Sequence, residues 1–166
     1  LFALEHAQFN EVHVELAARV DQQKIDIEDS SKKDFDGSAF SASGAANWEF
    51  APDYKLSLVA SHQQRLPLAQ ELYADGKHFA TNSYELGNDQ LKKEQSNNVE
   101  LGFHYDNNRF DYHIHVYHNW FDDYIYAQTL DRYEDFRLVK YTQDKARFYG
   151  AEAEAAYQIS PTYKIG

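Results

Sequence analysis

The chain has 166 residues, with 27 acidic and 16 basic side chains and a formal net charge of −11. That balance excludes a nucleic-acid binder, whose partner's phosphates need a positive surface, and the lack of cysteine excludes disulfides and thiolate metal sites. No apolar run approaches the roughly 20 residues of a membrane helix, but a membrane barrel stays open, because its strands alternate lipid-facing and lumen-facing residues and average polar.

Along the chain, period-two alternation predicts about eight strands. The first covers Leu1 to Ala7. The second runs from Glu11 to about Asp26, with Val12, Val14, Leu16, Ala18 and Val20 on one face and His13, Glu15, Ala17, Arg19 and Asp21 on the other. The third covers Phe40 to Phe50 and the fourth Tyr54 to Ser61. The fifth, Gln95 to Tyr105, sets Val99, Leu101 and Phe103 against Glu100, Gly102 and His104. The sixth, Phe110 to Tyr126, sets Tyr112, Ile114 and Val116 against His113, His115 and Tyr117. The seventh is Lys145 to Gln158, and the eighth starts near Tyr163.

The connections alternate in length. Tight turns are expected at Gln8-Phe9-Asn10, Ala51-Pro52-Asp53, Asp106-Asn107-Asn108-Arg109 and Ser160-Pro161-Thr162; long polar loops are expected at Glu28 to Ala39, His62 to Lys93 and Ala127 to Asp144. Such a chain is all-β, an antiparallel up-and-down meander with two unlike ends, as in part of a transmembrane β-barrel. One group of aromatics sits near the tight turns (Trp48, Phe50, Tyr54, Tyr105, Phe110, Tyr112, Tyr157), and a second toward the long loops (Trp120, Phe121, Tyr124, Tyr126, Phe148, Tyr149). Two such bands fit the interfacial girdles of a membrane barrel. The alternative is a soluble β-domain that binds ligands or partners around an aromatic core. Strands of some 16 residues argue against it, since soluble sheets favour five or six. The chain opens inside one apparent strand and closes inside another, and so reads as a piece of something longer.

Five short stretches carry a family resemblance. Arg65-Leu66-Pro67 leads into Gln70-Glu71-Leu72-Tyr73. Glu85-Leu86-Gly87-Asn88 follows, then Leu91-Lys92-Lys93-Glu94-Gln95-Ser96-Asn97-Asn98-Val99-Glu100-Leu101-Gly102; later comes Phe148-Tyr149-Gly150-Ala151-Glu152-Ala153-Glu154. In this order they resemble the barrel of TonB-dependent outer-membrane receptors. Residues 71–82 and 124–130 resemble the zinc-uptake (ZnuD-type) subgroup. The resemblance implies residues 1–166 as one partial barrel domain, about a third of a wall of roughly 22 strands, without plug or C-terminal closing strand. It implies a bacterial outer-membrane location with the long loops extracellular, in contact with lipid and lipopolysaccharide. It also implies energy-coupled uptake of a metal ion, zinc first, with the TonB motor complex acting through the missing plug. Haem or another metal chelate is the same-family alternative, since histidine and tyrosine also ligate haem iron. No resident cofactor is implied, zinc being cargo.

No G-x-S-x-G or phosphate-cradling glycine loop is present, so no enzyme is expected. Eight histidines are the residues with chemistry to offer, and zinc takes imidazole and carboxylate ligands in sets of three or four. Two constellations stand out. In the longest loop, Gly76 is expected to allow a bend that brings Asp75 and His78 together, with Glu71 and Glu85 nearby. On the wall, a turn at Asp106–Arg109 with Tyr105 opposite Phe110 would place His104 opposite Asp111, Gly102 opposite His113, and Glu100 opposite His115. Glu152 and Glu154 of the next strand share that polar face.

Overall fold

A computed structural model describes residues 1–29, 31–107 and 109–166. Ser30, in the first predicted loop, and Asn108, in the third predicted turn, lie outside the described residues. The strands are β1 (Phe2–Phe9), β2 (Val12–Ile25), β3 (Phe35–Ala51), β4 (Tyr54–Arg65), β5 (Asp75–His78), β6 (Ser83–Leu86), β7 (Glu94–Asp106), β8 (Phe110–Tyr133), β9 (Phe136–Ser160) and β10 (Tyr163–Ile165), with one short helix, α1 (Ala69–Tyr73), between β4 and β5. They form one open sheet in the order β1-β2-β3-β4-β7-β8-β9-β6-β5, with β10 also on β9.

The meander is antiparallel as expected, with one exception. The long loop contributes a hairpin, β5–β6, whose second strand runs parallel to β9 and pairs Ser83 with Arg137 through Leu86 with Lys140. Ten strands therefore stand where about eight were expected. The two extra strands are four residues each, too short for a period to show.

Two-residue turns close the short end. Asn10 and Asp53 adopt left-handed φ of 51° and 68°, which Asn and Asp tolerate, and Pro52 presets the backbone before Asp53. At Asn107 the side-chain Oδ1 accepts from the amides of Arg109 and Phe110 at 2.9 and 2.7 Å. The turn sits one residue further along than expected and pairs Asp106 with Asp111 and Tyr105 with Tyr112, so the expected register of β7 on β8 is off by two residues. His104 thus faces His113, and Gly102 faces His115. A slip of two keeps every side chain on its predicted face.

The predicted third loop, Ala127 to Asp144, is a correction. Here β8 and β9 continue as a ladder to a turn at Glu134-Asp135, where Glu134 has φ 54°. In this extension apolar residues fall on both faces, with Leu138 beside the buried Val139, so backbone pairing persists while alternation disappears.

Lateral pairing sets the faces. One row runs Val14, Ala46, Leu58, Leu101, Val116 and Ala151, and the row beside it Val12, Trp48, Leu56, Phe103, Ile114 and Ala153. Leu58, Leu101, Ile114 and Val116 are all more than two-fifths exposed: this apolar face has nothing packed on it. Rings from Trp48 through Phe50, Tyr54, Phe103, Tyr105, Tyr112 and Phe110 to Tyr157 form a continuous ribbon at the short-turn end, with centroids 4.6–6.4 Å apart. At the other end the face turns polar at His62 and Asn97, joined at 2.9 Å. Between these limits each strand offers roughly the nine to eleven residues of a tilted membrane strand.

The second aromatic band is split. Trp120 and Tyr149 flank His118 on the apolar face, but Phe121, Tyr124 and Phe148 cluster together, with Phe121 opposite Ser96 on the polar face. A cavity of about 920 Å³ on that face touches β1, β2, β3, β4, β7 and β8, including Phe2, Asp21, Ser41, Arg65, Glu94 and Phe121, so the polar side is the concave one.

The main buried cluster lies at the long-loop end, where Leu72, Leu91 and Ile125 pack with Ile25, Phe35, Tyr73 and Tyr141. Arg65 clamps it, pairing with Glu71 at 2.9 Å and Glu94 at 3.2 Å. Gly87 is needed for close approach: a Cβ there would lie 2.5 Å from the backbone of Leu72 and Tyr73.

Candidate metal centre

The loop constellation departs from expectation. Gly76 lies inside β5 without a positive φ, so no bend joins Asp75 to His78. Three residues apart on a strand, the two point to opposite faces. Asp75 Oδ1 accepts from the Tyr84 hydroxyl at 2.9 Å. On the other face His78 Nδ1 sits 2.7 Å from Thr81 Oγ1 and 3.2 Å from Glu85 Oε1. Glu71 is committed to Arg65.

Glu85 is the polar hub of this loop. It is 6% exposed and accepts from Gln70 Nε2 at 2.6 Å, Ser83 Oγ at 3.0 Å and the Tyr141 hydroxyl at 3.0 Å. Burial alone would raise its pKa; these donors, with His78, outweigh burial and hold it below the ordinary carboxylate range. Burial and Glu85 together push the Tyr141 phenol up to about 12.

The wall constellation is brought together. Glu100 lies diagonally from His115, and its Oε1 is 3.0 Å from His115 Nδ1, so the predicted contact forms despite the shifted register. His113 Nε2 is 2.5 Å from Asp111 Oδ1. Glu154 and Glu152 oppose His113 and His115 on β9. The shift of two adds His104, whose Nδ1 is 3.2 Å from His113 Nδ1. One ligand atom from each of His104, His113 and His115 lies within 4.8 Å of the others.

A second group on the same face is His6, His13 and Glu15. His6 Nδ1 and His13 Nε2 approach the same Glu15 oxygen, at 3.4 and 3.3 Å. Sequence reasoning missed this group and missed His104 as a ligand. A two-residue turn at Asn10-Glu11 would have placed His6 opposite Glu15, the pairing observed. The same turn centred one residue further along the chain would have set His104 against His113.

The family model for the TonB dependent receptor-like β-barrel matches residues 1–166. The chain belongs to that family. Among solved structures, the copper transporter OprC matches 93% of this chain with 26% of its own, at 16% identity and a TM-score of 0.75. The hemophore receptor HasR of Serratia marcescens, solved with its hemophore HasA and heme, matches 95% with 31% of its own, at 15% identity and a TM-score of 0.70. The FrpB iron transporter of Neisseria meningitidis matches 96% with 23% of its own, at 17% identity and a TM-score of 0.70. At these identities the likeness is one of fold, and the chain spans less than a third of each of these proteins. The family match, to a receptor β-barrel, stands against the soluble β-domain alternative.

Proposed function

We propose that this TonB-dependent receptor β-barrel chain is a section of the wall of an outer-membrane receptor that takes up a metal ion, with zinc as the cargo. The observation that carries the reading is the gathering of imidazoles and carboxylates on the concave face: His104, His113 and His115 beside Glu100 and Asp111. Imidazole with carboxylate suits zinc. In the complete receptor the long-loop end faces outward and captures the ion, with His78 beside Glu85 as its imidazole; Asp75 is turned to Tyr84. A plug, pulled by the TonB motor, admits the ion to the lumen, where the wall residues receive it. The subgroup reading, zinc-uptake receptors of the ZnuD type, belongs to the same proposal and rests on residues 71–82 and 124–130.

The test is uptake by cells that carry the intact receptor, with labelled zinc, copper and haem offered separately. TonB-dependent zinc accumulation that drops in a His113→Ala, His115→Ala double variant is expected. Import of haem without zinc would overturn the metal-ion reading in favour of the chelate alternative.

A further inference from the structure

The hydrogen bonds around the wall histidines allow a more specific statement. We propose that His104, His113 and His115 form a three-histidine site for a divalent transition-metal ion, with its fourth coordination position open to the concave side. Its place in a transport path rests on the function proposed above; its ability to bind metal does not.

The argument runs through the ring nitrogens. An ionised carboxylate only accepts hydrogen bonds. Glu100 therefore fixes the proton of His115 on Nδ1, at 3.0 Å, and leaves Nε2 with a free lone pair. Asp111 fixes the proton of His113 on Nε2 and leaves its Nδ1 free. His104 Nε2 lies 3.4 Å from Ser57 Oγ, and its Nδ1 faces the free Nδ1 of His113 at 3.2 Å. Each ring thus has one nitrogen on a protein oxygen; His104 and His113 turn the other toward each other, and one ring nitrogen of His115 lies within 4.8 Å of both rings' ligand atoms. Ligating histidines are held this way, by a partner on the far nitrogen that sets tautomer and orientation.

The spacing agrees with an ion. Tetrahedral zinc with Zn–N of about 2.0–2.1 Å separates neighbouring nitrogens by about 3.3–3.4 Å, and the two Nδ1 atoms are 3.2 Å apart. Haem does not fit this pair, because its two axial positions lie on opposite sides of the macrocycle. Imidazole donors likewise disfavour calcium and magnesium, which take oxygen ligands.

Gly102 makes the convergence possible. A Cβ there would lie 3.0 Å from both His104 Nε2 and His115 Cε1 and would collide with Ser57 Oγ. A glycine inside a strand weakens it and often marks a close approach; here the approach is that of two imidazoles.

The experiment is cobalt(II) titration of the intact receptor in detergent micelles. It is run on a His6→Gln, His13→Gln background so that the other histidine group does not contribute. Expected are the intense visible bands of tetrahedral cobalt, removed by zinc and unaffected by haem. They should vanish with His104→Gln and with His113→Gln. Asp111→Asn and Glu100→Gln should weaken binding by about 10- to 100-fold. Only weak octahedral bands in the background protein, or tetrahedral bands that survive His104→Gln, would overturn the site. If the histidine variants fail to fold, Asp111→Asn decides, and unchanged affinity there overturns the proposal. Zinc uptake by the same receptors separates the two readings. Uptake without cobalt bands leaves the receptor reading and removes this site; bands without zinc uptake leave the site and remove the zinc cargo.

Discussion

At the scale of single residues, Glu85 shows how a family signature can be structural. It accepts hydrogen bonds from Gln70, Thr81, Ser83 and Tyr141 in a buried site. Removing such an acceptor leaves Gln70 and Tyr141 only each other, at 3.4 Å, and Ser83 only Thr81. Glu85→Ala should therefore cost about 1.5–3 kcal/mol of the loop's local stability, seen as faster amide exchange in β5 and β6, while β7 and β8 stay protected. The pH dependence has a definite sign. The folded pKa of Glu85 is depressed, so its stabilisation is fully present above the ordinary carboxylate pKa of about 4.3 and is lost as pH falls through the lower folded value. Tyr141 is raised to about 12, so its contribution is present below the ordinary phenol pKa of about 10 and is lost as pH rises through the folded value. Amide exchange in β5 and β6, corrected for intrinsic rates, should be level between these limits and accelerate only in strong acid or strong base. Acceleration anywhere between these limits would show that Glu85 is not the latch.

At the scale of elements, β8 is the most informative strand because it alternates cleanly between two environments. Ile114 and Val116 face outward and exposed, while His113 and His115 face the concave side. Ile114→Lys should destabilise the lipid-folded barrel by about 2–4 kcal/mol if it lies near the bilayer midplane, measured by denaturant titration in vesicles. His115→Lys should cost much less, and equal costs would contradict the face assignment. This strand also shows what was legible in the sequence. Faces were, because period two survives a register error of an even number of residues. The pairing itself was not, because it depends on the Asn107 side chain setting the turn one residue further along, at Arg109 and Phe110, a choice that local composition does not dictate. The Arg65, Glu71, Leu72, Gly87 and Glu94 pattern was legible as a family signature, but its purpose was not. Only the folded loop shows Arg65 joining α1 to β7 and Gly87 lying against the backbone of Leu72. Asp75 and His78 failed as a pair for a related reason: a four-residue strand gives no periodic signal, so Gly76 read as a bend.

At the scale of the whole molecule, the distribution of apolar surface is inverted relative to a water-soluble fold. The outward face carries Leu58, Leu101, Ile114, Val116 and Tyr149 in the open, and the main buried cluster lies under the long loop. Exposed apolar area of this extent marks a surface meant for another phase, and two unlike rims fix how it sits there. The long-loop rim is tied together by Lys77 to Glu134 at 2.5 Å, Tyr84 on Tyr133 with centroids 4.6 Å apart, and the Tyr73 hydroxyl to the Lys33 carbonyl at 2.7 Å. The other rim has only tight turns. On the function proposed above, a barrel with short periplasmic turns and long outer loops is expected to hold the first rim outside the cell. This section has no cysteine, so a single cysteine placed in it reports on sidedness against the same receptor without the substitution. In whole cells carrying the receptor, Lys77→Cys and Asp135→Cys should react with a membrane-impermeant maleimide, whereas Asp53→Cys and Arg109→Cys should react only after the outer membrane is opened. Labelling of Arg109→Cys in intact cells, with Lys77→Cys silent, would invert the molecule in the membrane. It would place the three wall histidines, one to two residue pairs from the aromatic ribbon of the short-turn end, at the mouth rather than near the exit.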